Sequence, residues 1–252
     1  METGNPTKHL AGTLQHLCRH WESRRKAGAE QGGQIPLHAA YTITISREAG
    51  TQGTAIAKEV GRLLNWHVYD HDLLECIAKD MGLRTNLLES VDERIQSWLL
   101  ETAEAFLSAP VESDMGPVVT ESGFVHHLVK TVLALGVHGE CVLVGRGASF
   151  ILQPATTLRV RLVAPAPERK ATLRKNLGLS KRDAELKLQT LDHERIRFVQ
   201  YHFFKDPTDV HNYDLVVNAS RLSVPESAEV IVEMLHRFQR HDVAKHAAES
   251  SS

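Results

Sequence analysis

The sequence predicts an α/β fold, a parallel sheet with helices on both faces, and three observations predict it. Short apolar, β-branched segments alternate along the chain with segments of helical periodicity. The first strand leads through a glycine-containing loop directly into a helix. The polar residues suited to holding an anion follow the strands, and ligands of open parallel sheets bind at the carboxyl ends of strands.

The elements can be justified in order. Tyr41-Thr42-Ile43-Thr44-Ile45-Ser46 is β-branched and bounded by polar residues, a strand. From Ala55 to Leu64 the apolar Ile56, Val60, Leu63 and Leu64 recur at helical spacing. Trp66 to Tyr69 is a second short strand, and Asp70 caps the helix that follows. Leu83 to Leu107 reads as one or two helices, Ser108 to Gly123 as a Pro/Gly loop, and Phe124 to Leu135 as helix. Cys141 to Val144 is a third strand, closed by Gly145-Arg146-Gly147. Leu158 to Ala164 is a fourth, in which Arg159 and Arg161 alternate as on an exposed edge. Two charged helices, Pro165 to Leu177 and Lys181 to Phe204, precede a fifth strand, Asp214 to Asn218. Pro225, suited to a first helical turn, opens the last helix, which runs to Phe238.

The bulk numbers narrow the function classes. The 252 residues suit one α/β domain with additions, and an apolar fraction of 42% suffices for a sizeable core. A formal net charge of -2 gives no general attraction to nucleic acid or to an acidic membrane, so an anionic substrate needs a local arginine cluster. Cys18, Cys76 and Cys141 have neither metal-ligand nor disulfide spacing, which points to a reducing, cytoplasmic compartment. The N-terminus lacks the apolar core of an export signal, and no apolar run approaches the ~18 residues of a membrane span. The histidines are scattered, and no metal site is expected at His126-His127 or at His241 and His246. Residues 1–37 read as a flexible N-terminal arm and 241–252 as a disordered tail, leaving 38–240 as the domain.

The loop after the first strand carries the main chemical signal. In Ser46-Arg47-Glu48-Ala49-Gly50-Thr51-Gln52-Gly53-Thr54, strand, tight loop and helix follow in order, so backbone N–H groups and a helix N-terminus converge as an anion site. Gly50 and Gly53 let the backbone approach phosphate, while Thr51 and Thr54 offer hydroxyls to phosphate or a metal. The usual phosphate-loop pattern GxxxxGK[ST] has a lysine that is missing here. A plain strand-to-helix turn would look similar. Arg47 reads either as a substitute for that lysine or as one half of a salt bridge to Glu48 or another carboxylate. Asp70 reads as a ligand of the acceptor or of Mg²⁺, or as a helix cap. Arg146, between two glycines at a strand end, has little structural motive, and its planar fork suits phosphate. Arg195 and Arg197 do not share a helix face and could grip different groups, or simply be solvated.

Together these segments resemble the cytidylate kinase-like family, relatives of bacterial cytidylate kinase among the P-loop nucleoside monophosphate kinases. The matching pieces are ITISREAGTQGTAIAKEVGRLL, VYDHDLLECIA, VLVGRGASFIL, LRVRLVAPAPERKATL, LDHERIRFVQYHF and NYDLVVNASRLSVPESAEVI, in family order over about residues 41–237. The resemblance implies a three-layer P-loop NTPase fold with a five-stranded parallel sheet. It also implies a helical acceptor-side insertion at 83–137 and a lid at 178–212. By carry-over, Gly50, Thr51, Gln52, Gly53 and Thr54 form the phosphate loop, with Gly53 where true cytidylate kinases have lysine. Gln52 replaces the first glycine of a pair common in the kinase-like group. Asp70 lies at the acceptor region and Arg146 faces the acceptor. Arg174 and the segment Asp192–Arg197 supply arginines to the phosphates, with Arg195 and Arg197 as catalytic residues.

The implied function is phosphoryl transfer from ATP, with Mg²⁺ held by Thr54 and Asp70, to a small acceptor, foremost a nucleoside monophosphate. The expected partners are nucleotides, without nucleic acid or membrane, and a homodimer is left open. The alternative is a nucleotide-binding pseudokinase that senses or scaffolds, which the missing lysine favours.

Overall fold

The computed structural model describes residues 41–72, 74 and 119–249. The chain divides into two units, 41–71 with 140–252 and 1–40 with 72–139. The expected arm at 1–37 and the helices from Leu83 to Leu107 lie outside the described residues.

The larger unit is built on five strands: β1 (Thr42–Arg47), β2 (His67–Tyr69), β3 (Cys141–Val144), β4 (Thr157–Val163) and β5 (Leu215–Asn218). All pairings are parallel and the spatial order is β2-β3-β1-β4-β5. The connection after β1 leaves toward β2 while that after β4 leaves toward β5. The switch point of the sheet therefore lies between the two neighbours β1 and β4.

Alternation along β1 sorts its two faces. Ile43 and Ile45 join Val142, Val144, Val160 and Leu162 in a core closed by two helices, α1 (Gly53–Leu64) and the C-terminal helix. The first helix contributes Ile56, Ala57 and Val60. Each buried isoleucine, leucine or valine taken from water contributes about 1.5–3 kcal/mol. On the other face Thr44 accepts a hydrogen bond from Ser149 Oγ at 2.9 Å. Ser149 belongs to the short helix α3 (Ala148–Ile151), so helices cover both faces.

Two charged helices follow β4, α4 (Ala166–Leu177) and α5 (Lys181–Phe203). Ser180 caps α5 by accepting the Asp183 N–H at 3.2 Å. The last helix, α6 (Val224–Glu249), corrects the expected tail at 241–252: its Ala-rich C-terminal stretch continues the helix to Glu249. The helix of the other unit, α2 (Val119–His138), likewise begins inside the loop expected to end at Gly123. No proline lies within Val119–His138, and a single glycine such as Gly123 does not end a helix.

Arg159 and Arg161 do not mark an edge, because β4 lies between β1 and β5. Arg159 is locked to Asp214, whose carboxylate accepts its Nη2 at 2.8 Å, its Nε at 3.1 Å and its backbone N–H at 2.8 Å.

Candidate anion-binding cleft at the strand ends

A cleft of about 210 Å³ opens at the carboxyl ends of β1, β3 and β4, lined among others by Arg47, Arg146, Arg161, Arg195, Phe198 and Thr208. These four arginines come from four different elements. Arg47 ends β1, Arg146 follows β3, Arg161 lies near the end of β4, and Arg195 projects from α5.

Local backbone explains how they meet. Gly145, Arg146 and Gly147 all lie in the left-handed region, with φ of 82°, 50° and 71°. For Arg146, a residue with a Cβ, that conformation is strained, and such strain concentrates at functional sites. The turn sets the Arg146 guanidinium 5.2 Å from the ring centre of Phe198 on α5, a cation–π contact. A Cβ on Gly147 would lie 2.2 Å from Phe203 Cε2, so only glycine lets α5 approach here. Arg161 donates to Ser46 Oγ at 2.7 Å and lies 5.9 Å from the Tyr213 ring centre. Tyr213 in turn is hydrogen-bonded to Ser46 at 3.1 Å and donates to the Pro207 carbonyl at 2.8 Å, and burial raises its pKa. Arg195 donates to the Arg47 carbonyl at 3.3 Å.

The electrostatics of the cleft are those of crowded, partly buried cations. Arg47 is pushed down from its ordinary value to about 9, first by burial, then by the charges of Arg195 and Arg146. Asp70 opposes the shift and Arg161 adds to it. Arg195 is lowered too, by burial first, with Asp192 opposing and Arg161 and Arg146 adding. Guanidiniums crowded this way repel one another, and a bound polyanion relieves the repulsion.

The loop itself is arranged differently from the expected open hollow. Ala49 packs in a small cluster with Leu173 of α4 and with Ala184 and Leu188 of α5. The Ala49 N–H is donated to Asp192 Oδ1 at 2.7 Å, so a carboxylate of α5 already occupies one amide of this loop. Arg169 of α4 pairs with that same Asp192 and donates to the Ala49 carbonyl at 3.3 Å. It also pairs with Glu48 at 3.4 Å, so Glu48 serves Arg169 and not Arg47. A Cβ on Gly50 would stand 2.5 Å from the Arg169 carbonyl oxygen. The Thr51 hydroxyl is buried and donates to the Glu48 carbonyl at 2.9 Å. Gln52 adopts φ 56° as the residue before α1, with its side chain exposed, so it does not block the cleft.

Of the residues singled out in the sequence, Arg47, Arg146 and Arg195 line the cleft, while Gly50, Thr51, Gln52, Gly53 and Thr54 do not. Asp70 does not line it but attracts the Arg47 charge. Arg174 and Arg197 are exposed and point elsewhere. Arg161 and Arg169 were missed as site residues. Arginines at alternate positions of an otherwise apolar strand were the available signal for Arg161. For Arg169 there was none beyond its place in a charged helix.

The family profile described as cytidylate kinase-like family matches residues 42–221, and the chain belongs to that family. Among solved structures, an uncharacterized protein from Eubacterium ventriosum is 20% identical with a TM-score of 0.60. The match covers 78% of this chain and 98% of that one. Shikimate kinase from Bacteroides thetaiotaomicron is 15% identical with a TM-score of 0.44, at the same coverages of 78% and 98%. A search of curated proteins gave no match. The fold is that of a kinase-like α/β protein with a five-stranded parallel sheet. Among the described residues no helix is long and apolar enough to cross a membrane.

Proposed function

We propose that this chain is an ATP-dependent phosphotransferase acting on a small phosphorylated acceptor, foremost a nucleoside monophosphate. The observation that carries the reading is the convergence of Arg47, Arg146, Arg161 and Arg195 at the switch point of a parallel sheet. Four guanidiniums that repel one another suit phosphate oxygens. In phosphoryl transfer the protein mainly positions the reactants and neutralises charge. Arg146 and Arg161 would hold the acceptor phosphate, and Arg195, on α5, would act on the transferred group. Reaching the loop amides requires α4 and α5 to withdraw Arg169 and Asp192, which makes these helices the lid.

The residues present fit a nucleotide by charge. Among the described residues no group of three or more His, Cys, Asp or Glu could hold a metal alone. Magnesium would then be an ion carried on the phosphates; of its candidate protein oxygens, those of Thr54 and Asp70, neither lines the cleft, and Asp70 acts on the cleft through the charge of Arg47. Bound in that way, it would neutralise phosphate charge.

A second reading, a nucleotide-binding pseudokinase with a sensing or scaffolding role, is favoured by two observations. The loop lacks lysine at Gly53, and its Ala49 amide is held by Asp192. Turnover assays with Mg·ATP against a panel of nucleoside monophosphates and other small alcohols and phosphates separate the two. Phosphate transfer to any acceptor supports the first reading, whereas saturable nucleotide binding without transfer supports the second.

A further inference from the structure

We propose that Arg47 is the phosphate-binding cation of this chain, replacing the lysine that other phosphate loops carry at the start of the helix. We propose further that Gly53 and Gly145 are glycines because its side chain runs across both. The inference rests on the reading of the cleft as a phosphoanion site.

The path of Arg47 is fixed by what it nearly touches. A Cβ on Gly53, the first residue of α1, would stand 2.9 Å from Arg47 Cγ and 3.1 Å from its Cβ. A Cβ on Gly145 would stand 2.0 Å from Arg47 Nη1. The stem therefore crosses the position from which a lysine would start, and the guanidinium ends beside the Gly145-Arg146 turn, at the cleft. The absent lysine and the present arginine are two sides of one exchange: the charge now enters from the strand end.

The side chain is a poor candidate for a structural ion pair. Arg47 is buried to 9% exposure, yet among the described residues its guanidinium makes no hydrogen bond. Three of the charges acting on it, those of Arg195, Arg146 and Arg161, are repulsive, against the single attraction of Asp70. Burying a cation among cations costs stability unless an anion joins them. That pattern belongs to a binding group held ready for its ligand.

The test uses the full chain, inorganic pyrophosphate as probe, and thermal melting with calorimetric titration. Arg47→Met keeps the length of the stem and removes the charge. It is expected to melt at or above the wild-type temperature without ligand and to bind pyrophosphate at least tenfold more weakly. Arg47→Lys should retain part of the affinity. Gly53→Ala, which pushes the stem without altering charge, should weaken binding in wild type but not in Arg47→Ala. The inference is overturned if wild type binds pyrophosphate and Arg47→Met, or Gly53→Ala should the former not fold, binds it equally well. If wild type binds neither pyrophosphate nor any nucleotide, the phosphoanion reading falls and the inference with it.

Discussion

Asp192 and Ala49, far apart in sequence, are joined by a 2.7 Å hydrogen bond from the Ala49 backbone N–H to the Asp192 carboxylate. Through it α5 holds the loop between β1 and α1, and the same carboxylate is paired with Arg169. A carboxylate and a phosphate oxygen ask for the same amide, so the two compete. Asp192→Ala should lower unliganded stability by about 1–3 kcal/mol, the scale of a lost charge-assisted contact. It should at the same time tighten Mg·ATP binding several-fold. Thermal melting and calorimetry on the same preparation check both. Weaker binding alongside lower stability would make Asp192 a ligand-holding group and not a competitor.

Arg195 and Arg197 are two residues apart on α5 and have different surroundings. Arg195 lines the cleft and donates to the Arg47 carbonyl, while Arg197 is exposed. Arg195→Ala is expected to reduce turnover, or anion affinity in a protein without turnover, by at least tenfold. Arg197→Ala should stay within about threefold of wild type and within ~0.5 kcal/mol in stability, as surface substitutions usually do. Equal losses for the two would place both at the ligand.

Arg159 and Arg161 give the corresponding contrast on a strand. The Arg159 side chain donates two hydrogen bonds to the Asp214 carboxylate, so Arg159→Ala, which keeps only the backbone N–H bond, should cost about 1–3 kcal/mol of stability and leave pyrophosphate affinity unchanged. Arg161→Ala, at the cleft, should weaken pyrophosphate binding at least fivefold. Chemical denaturation and titration of both variants decide the matter, and reversed outcomes would reassign the pair.

Several elements were legible in the sequence because local signals agreed. The β-branched run at 42–45, the apolar face of α1 and the glycine-flanked Arg146 could each be read from spacing alone. The cleft was legible only in part, since its members come from four elements whose meeting depends on sheet order. The loop after β1 misled in one respect. Glycine spacing predicts a hollow, but cannot reveal that Arg169 and Asp192, over a hundred residues away, would fill it. Arg161 was misread as marking an edge, because strand order is not written in the strand itself. The Cys141 thiol, at the start of β3, is buried and raised to about 12 chiefly by burial, as befits an unreactive core thiol.

The charge on Arg47 gives a pH dependence whose sign can be worked out. Its folded value of about 9 lies well below the ordinary guanidinium value. Below pH 9 the group is protonated in folded and unfolded chains alike, so the full cost of burying it is present at pH 7. Above about 9 the folded protein sheds the proton first, and the cost fades as the pH rises toward the ordinary value. Arg47→Met, which never bears that cost, should therefore exceed wild type in melting temperature most at pH 7, with the gap narrowing by pH 10. Melting both proteins across that range checks this, and a gap that widened would contradict the assigned burden.

The exchange between lysine and arginine can be run backwards. Gly53→Lys alone should not help, because its Cβ would stand 2.9 Å from Arg47 Cγ and crowd a second cation into the same space. The variant is expected to melt lower than wild type and to bind pyrophosphate no better. In Arg47→Ala the Cγ is gone and the nearest remaining contact is the residue 47 Cβ at 3.1 Å, which a few tenths of an ångström of movement relieves. There Gly53→Lys should restore at least part of the affinity lost with Arg47, since the helix start is where the lysine of other phosphate loops stands. The four proteins form a double-mutant cycle, read by titration with pyrophosphate. Residues in contact should couple by at least ~0.5 kcal/mol, whereas independent sites add within that margin. Additive effects of the two substitutions would mean that Gly53 and Arg47 do not share one cation position.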